Sequence, residues 1–246
     1  MEINQYPLIT IIIATYNAEK TLKSALDSII NQIYQNWECL IIDGNSQDKT
    51  LTIIKTYNKL DKRINFISEP DNGIYDAFNK GWKAAKGEWI YYLGADDTLQ
   101  KDGLQSFYNN ISSSVDVIYG NVYLKTGNKT KEGISPEPNN LANNMACHQS
   151  ICMKKKCIEE LGGFNLKYKV CADYALVQKA LIYKKKFKHF DKFVAIFNCS
   201  GVSTNYRADI EVFNIDREFK TNSFLKVFYK LISAVTKKFV KNLLFN

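Results

Sequence analysis

The sequence predicts an α/β protein in which a right-handed parallel sheet is flanked by helices and followed by a helical C-terminal extension. Three observations carry that prediction. The run Leu8 to Ala14 is continuously apolar and rich in β-branched residues, as a central strand covered on both faces must be. Strand-like and helix-like segments alternate from there to Ser68, the pattern of crossover-connected parallel strands. A later apolar run, Trp89 to Leu93, breaks off at Gly94-Ala95-Asp96-Asp97, so two adjacent carboxylates emerge at the strand end, where open α/β sheets bind their ligands.

The elements follow in order. After the first strand, Thr15-Tyr16-Asn17 turns the chain into a helix, with Asn17 a candidate N-cap and Leu22, Leu26, Ile29, Ile30 and Ile33 on its apolar face. Trp37 to Ile42 is the second strand, and the polar stretch Asp43 to Thr50 follows it. A helix from about Thr50 to Leu60 and a short strand from Ile64 to Ser68 repeat the unit. Glu69-Pro70-Asp71-Asn72-Gly73 breaks the chain before a helix over Ile74 to Lys86, which Gly87 is placed to end. With the fourth strand, four polar turns lie at one edge of the sheet.

Beyond Asp97 the alternation changes. Val115 to Tyr119 and Asn121 to Leu124 read as two strands before a turn at Thr126-Gly127-Asn128-Lys129. Residues 133 to 146 lack periodicity and predict a mobile substrate-binding segment. His148-Gln149 heads a short strand, Lys156 to Leu161 runs to Gly162-Gly163, Cys171 to Tyr174 opens a helix to about Tyr183, and Phe187 to Phe197 is a further strand region. From Ser223 onward, Phe224, Phe228, Leu231, Ile232, Val235, Phe239 and Leu243 form one face and five lysines another. This basic amphipathic pattern fits either an anionic membrane surface or a helix packed on the body.

At 246 residues, with 46% hydrophobic and 24% charged content, the chain has enough apolar material for one large core, which excludes a disordered class. No stretch approaches the roughly 18 apolar residues of a membrane span, so a cytoplasmic protein is expected. Six cysteines without paired spacing argue for reduced, packed thiols in place of a zinc site or a disulfide framework. A net charge of +8 is compatible with nucleic acid, an anionic membrane or a phosphorylated substrate.

Asp96 and Asp97 admit two readings on their own. Two acids at a strand end suggest a metal ion, and an Asp before Thr98 also suits a helix cap.

Thr15-Tyr16-Asn17, DGNSQDKT at 43 to 50, SEPDNGIYDAFNKG at 68 to 81, GADD at 94 to 97 and CADY at 171 to 174 stand in the order and spacing of one family. Over about residues 7 to 185 the chain resembles the family 2 glycosyltransferases of bacterial polysaccharide synthesis, in particular the branch that builds O-antigen, capsule or exopolysaccharide repeat units. The resemblance implies the GT-A fold, a Rossmann-like mixed sheet flanked by helices. Its nucleotide-binding half would occupy residues 1–100 and its acceptor half 101–205, with a basic helical extension over 206–246. It also implies inverting transfer from a nucleotide-diphosphate sugar, with UDP the expected nucleotide, and Mn²⁺ or Mg²⁺ as cofactor. The acceptor would be a lipid-diphosphate-linked saccharide at the inner face of the cell membrane, where the enzyme would be peripherally bound; no nucleic-acid partner is expected.

Residue by residue, Asp96 matches the metal-binding last Asp of the family's DxD motif, and Ala95 lies beside it in the donor site. Gly94 replaces the motif's first Asp, leaving the site one carboxylate short. Thr15, Tyr16, Asn17 and Asp43 match the nucleotide pocket, although Asn17 and Asp43 also suit turn chemistry. Asp71, Asn72 and Gly73 match the loop beside the ribose and diphosphate. Many relatives carry Arg where this chain has Phe78, so Lys80 is a candidate for the missing charge or else a solvated lysine. Asp97, His148 and Gln149 are candidate phosphate or acceptor contacts, and His189 reads as structural. Asp173 matches the catalytic base, the family's Glu-Asp pair being Ala172-Asp173 here; on sequence alone it also suits a helix cap. A nucleotidyltransferase would need a Gly-rich phosphate loop that the first turn lacks. A degenerate transferase, suggested by Gly94, and a nucleic-acid binder, suggested by charge without a binding motif, are the non-catalytic alternatives.

Overall fold

The computed structural model describes residues 6–199 and 206–220. Its first half is the predicted repeat: β1 (Ile9–Thr15), α1 (Leu22–Ile30), β2 (Trp37–Asp43), α2 (Thr50–Leu60), β3 (Ile64–Ser68), α3 (Ile74–Ala84) and β4 (Trp89–Gly94). Then come β5 (Thr98–Leu99), α4 (Gly103–Tyr108), β6 (Val117–Thr126), β7 (Lys129–Gly133), β8 (Ile151–Lys154), α5 (Lys155–Leu161), α6 (Ala172–Ile182), β9 (Phe187–Asn198) and α7 (Tyr206–Phe219). All strands join one sheet in the order β3-β2-β1-β4-β8-β6-β9-β5, with β7 paired to β6. The pairs β2–β3, β1–β2 and β1–β4 are parallel, whereas β8 runs antiparallel to both β4 and β6. The sheet is therefore mixed, as expected, and parallel only where helices cross over.

Strand alternation builds two cores. Ile9, Ile11 and Ile13 of β1, with Trp89, Tyr91 and Leu93 of β4, pack with α1, α2 and α4. Ile12, Ile90 and Tyr92 point the other way, into a core shared with α3, α5, α6 and α7. α7 contributes Ile215, 0% exposed, so residues 206–219 are packed on the body. The basic amphipathic stretch from Ser223 lies outside the described residues. No helix among the described residues is long and apolar enough to cross a membrane.

Several local expectations are corrected. α1 starts at Leu22, so Asn17 does not cap it, and Ile33 lies beyond the helix and is exposed. α3 ends at Ala84, and Gly87 serves β1 instead: a Cβ there would stand 2.7 Å from Thr10 N, and its own N–H donates to Thr10 Oγ1 at 2.9 Å. The two strands predicted around Gly120 are one continuous β6 with a register shift at Asn121. The 133–146 segment is anchored, since Ser135 N donates to Asn121 Oδ1 at 2.9 Å, Tyr119 OH donates to Pro136 O at 2.8 Å, and Leu141 is buried.

Candidate active site

The carboxyl ends of β1, β2 and β3 are knotted together by Asp43. It is wholly buried and accepts hydrogen bonds from Thr15 Oγ1 (3.2 Å), Ser46 Oγ (2.5 Å), Ser46 N (3.2 Å) and Ser68 Oγ (2.7 Å). These four bonds satisfy the buried carboxylate and hold the three strand ends together. Asn17, at φ 50, ties the loop after β1 to the loop after β2: its N–H donates to Ser46 Oγ and its Oδ1 accepts from Gln47 N, both at 2.9 Å. Tyr16, next to Asn17, is 65% exposed.

The loop before α3 packs against the end of β2, Glu69 N donating to Asp43 O at 3.0 Å. Asp71 Oδ1 accepts from Gly73 N at 2.9 Å, Asn72 N donates to Asp76 Oδ2 at 2.9 Å, and Gly73 takes φ 110, a conformation that favours glycine. Gly44 lets the loop approach, because a Cβ there would stand 2.7 Å from Asp71 Oδ2. Lys80 is engaged with this loop, bonding Pro70 O at 2.7 Å and Glu69 Oε1 at 2.8 Å. Its charge thus holds residues 69 and 70 in place.

At the end of β4 the two adjacent acids separate. Asp96 is exposed, whereas Asp97 is 1% exposed and bends back under the turn, accepting from Asn198 N at 2.7 Å. No helix follows directly, so the helix-cap reading of this pair falls; β5 comes next and α4 begins only at Gly103. Asp97 Oδ2 is buried with no hydrogen-bond partner among the described residues. Burial pushes this carboxyl up to about 7, and the Asp96 carboxylate adds to the effect. Gly94 is tied to the same arrangement. A Cβ there would stand 2.3 Å from Asp97 Oδ2 and 3.1 Å from Asp96 Oδ1. The space of the motif's missing first side chain is thus filled by Asp97. Gly94→Ala must displace a buried, bonded carboxylate and is expected to lower stability by about 1–3 kcal/mol. Urea unfolding measures it, and an unchanged midpoint would mean that the carboxylate moves aside without cost.

Two carboxylate oxygens converging over Gly94, one of them orphaned, fit a hard divalent cation. Among the described residues no three His, Cys, Asp or Glu side chains come together, so donor oxygens and water would complete the shell.

The last group forms across the sheet. Asp173 lies in the first turn of α6, and its Oδ1 accepts from Tyr174 N at 2.9 Å and lies 2.9 Å from Tyr75 OH. Its Oδ2 is faced by His148 Nδ1 at 3.7 Å. The residue capping α6 is Cys171, so Asp173 is not the N-cap. His148 sits among the rings of Phe78, Tyr92 and Phe164, with centroids 5.6, 5.3 and 5.9 Å away. Burial holds His148 below its ordinary value, against the pull of Asp173, so it is neutral at physiological pH. Phe78 is a wall of this aromatic box. Gln149 connects the box to β4, its carbonyl accepting from Tyr91 OH at 2.8 Å and its Oε1 from Cys147 Sγ at 3.1 Å. Burial pushes the Cys147 thiol up to about 12, and the carboxylates of Asp97 and Asp173 both add to it.

Residues 10–213 match the model described as Glycosyl transferase family 2. The chain belongs to this family. This family 2 glycosyltransferase is 35% identical over 173 residues to a PGL/p-HBAD biosynthesis glycosyltransferase of Mycobacterium bovis, covering 68% of this chain and 67% of the relative. It is 29% identical over 250 residues to an uncharacterized glycosyltransferase of Haemophilus influenzae, covering 96% and 98% of the two chains. Among solved structures, S. aureus TarS 1-349 in complex with UDP superposes with TM-score 0.70 at 18% identity, over 94% of this chain and 72% of that one. The mannosyltransferase PcManGT from Pyrobaculum calidifontis, in complex with GDP-Man and Mn²⁺, gives TM-score 0.72 at 16% identity, over 94% and 73%. These two likenesses establish the GT-A fold.

Two residues that the motifs do not single out shape the surroundings of Asp173. Tyr75 lies inside the 68 to 81 stretch without a role of its own there, and its hydroxyl meets Asp173 Oδ1. Glu211 lies on α7, beyond the stretch of resemblance, and accepts from Lys169 N (2.9 Å), Val170 N (2.8 Å) and Cys171 N (2.9 Å), the segment leading into Asp173. No sequence signal marks it.

Proposed function

We propose that this glycosyltransferase moves a sugar, with inversion, from a nucleotide-diphosphate donor to a hydroxyl of a lipid-diphosphate-linked saccharide in cell-surface polysaccharide synthesis, with UDP the expected nucleotide. The observation that carries the reading is the state of Asp173: Oδ1 is held by hydrogen bonds, while Oδ2 accepts none among the described residues and the side chain is 21% exposed. A carboxylate fixed by one oxygen and open at the other suits general-base work. The acceptor oxygen attacks the anomeric carbon, the bond to the diphosphate breaks with its electron pair leaving on the nucleotide, and the hydroxyl proton passes to Asp173 Oδ2.

Asp96, with the buried Asp97 oxygen beside it, would hold Mn²⁺ or Mg²⁺. When bound, the cation neutralises charge on the departing diphosphate. Thr15, Tyr16 and Asn17 are the proposed wall of the nucleotide pocket, Asp43 its floor, and Asp71, Asn72 and Gly73 its diphosphate side. The charge of +8 and the basic sequence from Ser223 support work at the anionic inner face of the membrane. Incubating the full chain with a panel of nucleotide sugars, with and without Mn²⁺ or Mg²⁺, tests the reading, and no turnover of any donor would refute it. Asp96→Ala is expected to abolish the metal-dependent part of nucleotide binding; calorimetric affinity equal to wild type would remove Asp96 from the metal site.

A further inference from the structure

Tyr75 stands in the first turn of α3, 98 residues from Asp173 in sequence, yet its hydroxyl oxygen lies 2.9 Å from Asp173 Oδ1 and 2.7 Å from Val170 O. Both neighbours are acceptors, and the phenol carries one proton, so it serves only one of them at a time. The ring has little freedom. It is 7% exposed, stacked on Phe164 at 5.4 Å and set edge-on to Phe78 at 6.2 Å. The two acceptors are fixed as well, Val170 through Glu211 and Asp173 through Tyr174 N. What can turn is the O–H bond.

We propose that Tyr75 is a positioning residue for the base, its O–H donating to Asp173 Oδ1 while that carboxylate is charged and swinging to Val170 O once Asp173 has taken the acceptor's proton. The inference rests on the reading of Asp173 as the base. The hydroxyl favours the charged carboxylate before reaction and holds Oδ2 towards the acceptor, and Val170 O gives it a partner after proton transfer, so the tyrosine O–H is paired at both stages. Burial, with the Asp173 charge, lifts the Tyr75 phenol far above its ordinary value, so its proton stays on the ring oxygen and only its direction changes. The other titratable groups around Asp173 are His148 at 3.7 Å, the half-buried thiol of Cys147, the buried thiol of Cys171, and Glu211 from α7. His148 is neutral, Glu211 is occupied by backbone donors, and the thiols are protonated. That leaves Tyr75 OH and Tyr174 N as the side-chain and backbone donors to the carboxylate among the described residues.

The test is Tyr75→Phe in the full chain, with kcat, KM and the pH dependence of kcat/KM measured beside wild type and Asp173→Asn. Phenylalanine keeps the ring packing and removes the donor. Loss of a donor to the charged form raises the base's pKa, so the acid limb of kcat/KM is expected to move up by roughly one pH unit and kcat to fall about tenfold or more, with nucleotide-sugar affinity unchanged. An acid limb superimposed on wild type overturns the proposal even if kcat falls, because a purely structural role would lower activity without moving the limb. Should Tyr75→Phe not fold, 3-fluorotyrosine at position 75 decides: its more acidic phenol is the stronger donor and should move the limb down, and an unmoved limb refutes the swivel. Wild-type activity in Asp173→Asn would instead overturn the base reading itself. An inactive Asp173→Asn with an unmoved limb in Tyr75→Phe overturns only the role of Tyr75.

Discussion

Asp173→Asn is expected to lower kcat by about 10²- to 10⁴-fold while leaving nucleotide-sugar affinity unchanged. The asparagine is nearly isosteric, and its amide oxygen can still accept from Tyr174 N and Tyr75 OH, so α6 keeps its first turn and the aromatic box around His148 keeps its shape. What is lost is the open oxygen able to take a proton. Because the substitution spares geometry, a fall in kcat with unchanged donor binding separates chemistry from folding. Transfer at the wild-type rate would remove Asp173 from the base role. His148 offers no ready replacement, since its burial disfavours the charged imidazolium that accepting the proton would create.

Glu211→Ala is expected to cost about 3–5 kcal/mol of folding stability, among the larger effects of any single change in this chain. The residue is 7% exposed, and its carboxylate is the acceptor for three consecutive backbone N–H groups and for Arg207 Nε at 3.2 Å. Truncation leaves those donors without the partner for which the 169–171 segment is bent, at about 1–3 kcal/mol for each one not rescued by water. Burial opposes the charge on Glu211, but the backbone donors outweigh it and hold the carboxyl below its ordinary value. A depressed folded-state pKa gives stability that is present above the unfolded value and lost as pH falls through the folded one. The gap between wild type and Glu211→Ala, followed by urea unfolding, should therefore be widest near neutrality and narrow in acid. A variant as stable as wild type at pH 7 would show that water replaces the carboxylate at no cost.

The sheet's first half was legible because its signals are local. Ile9, Ile11 and Ile13 alternate with Thr10 and Ile12 in a run that reads as a strand buried on both faces, and Leu22, Ala25, Leu26 and Ile29 repeat at helical spacing. The edge that gathers the candidate site residues was legible for the same reason, since β1, β2, β3 and β4 all end in polar turns there. Two expectations failed where a partner from elsewhere in the chain outcompeted the local one. Asn17, a candidate cap for its own helix, instead binds the 44–50 loop. Gly87, a candidate helix stop, instead makes room for β1. At Gly94, where the motif's first Asp is missing, the space is taken by Asp97, three residues on in the same turn.

By itself the sequence determined the α/β class, the order of elements to β4, and which acids are candidates for the site, because periodicity, turn residues and motif spacing are properties of short stretches. Only the tertiary structure decided what each acid touches. Asp96 faces solvent while its neighbour Asp97 is buried, because β9 crosses close enough for Asn198 N to pull Asp97 inward. Asp173 is held by Tyr75 from α3 and by a segment that Glu211 of α7 pins in place. Such pairings join residues 40 to 101 positions apart in the chain. They are fixed by packing and by the cost of leaving buried polar atoms unpaired, neither of which a linear pattern encodes.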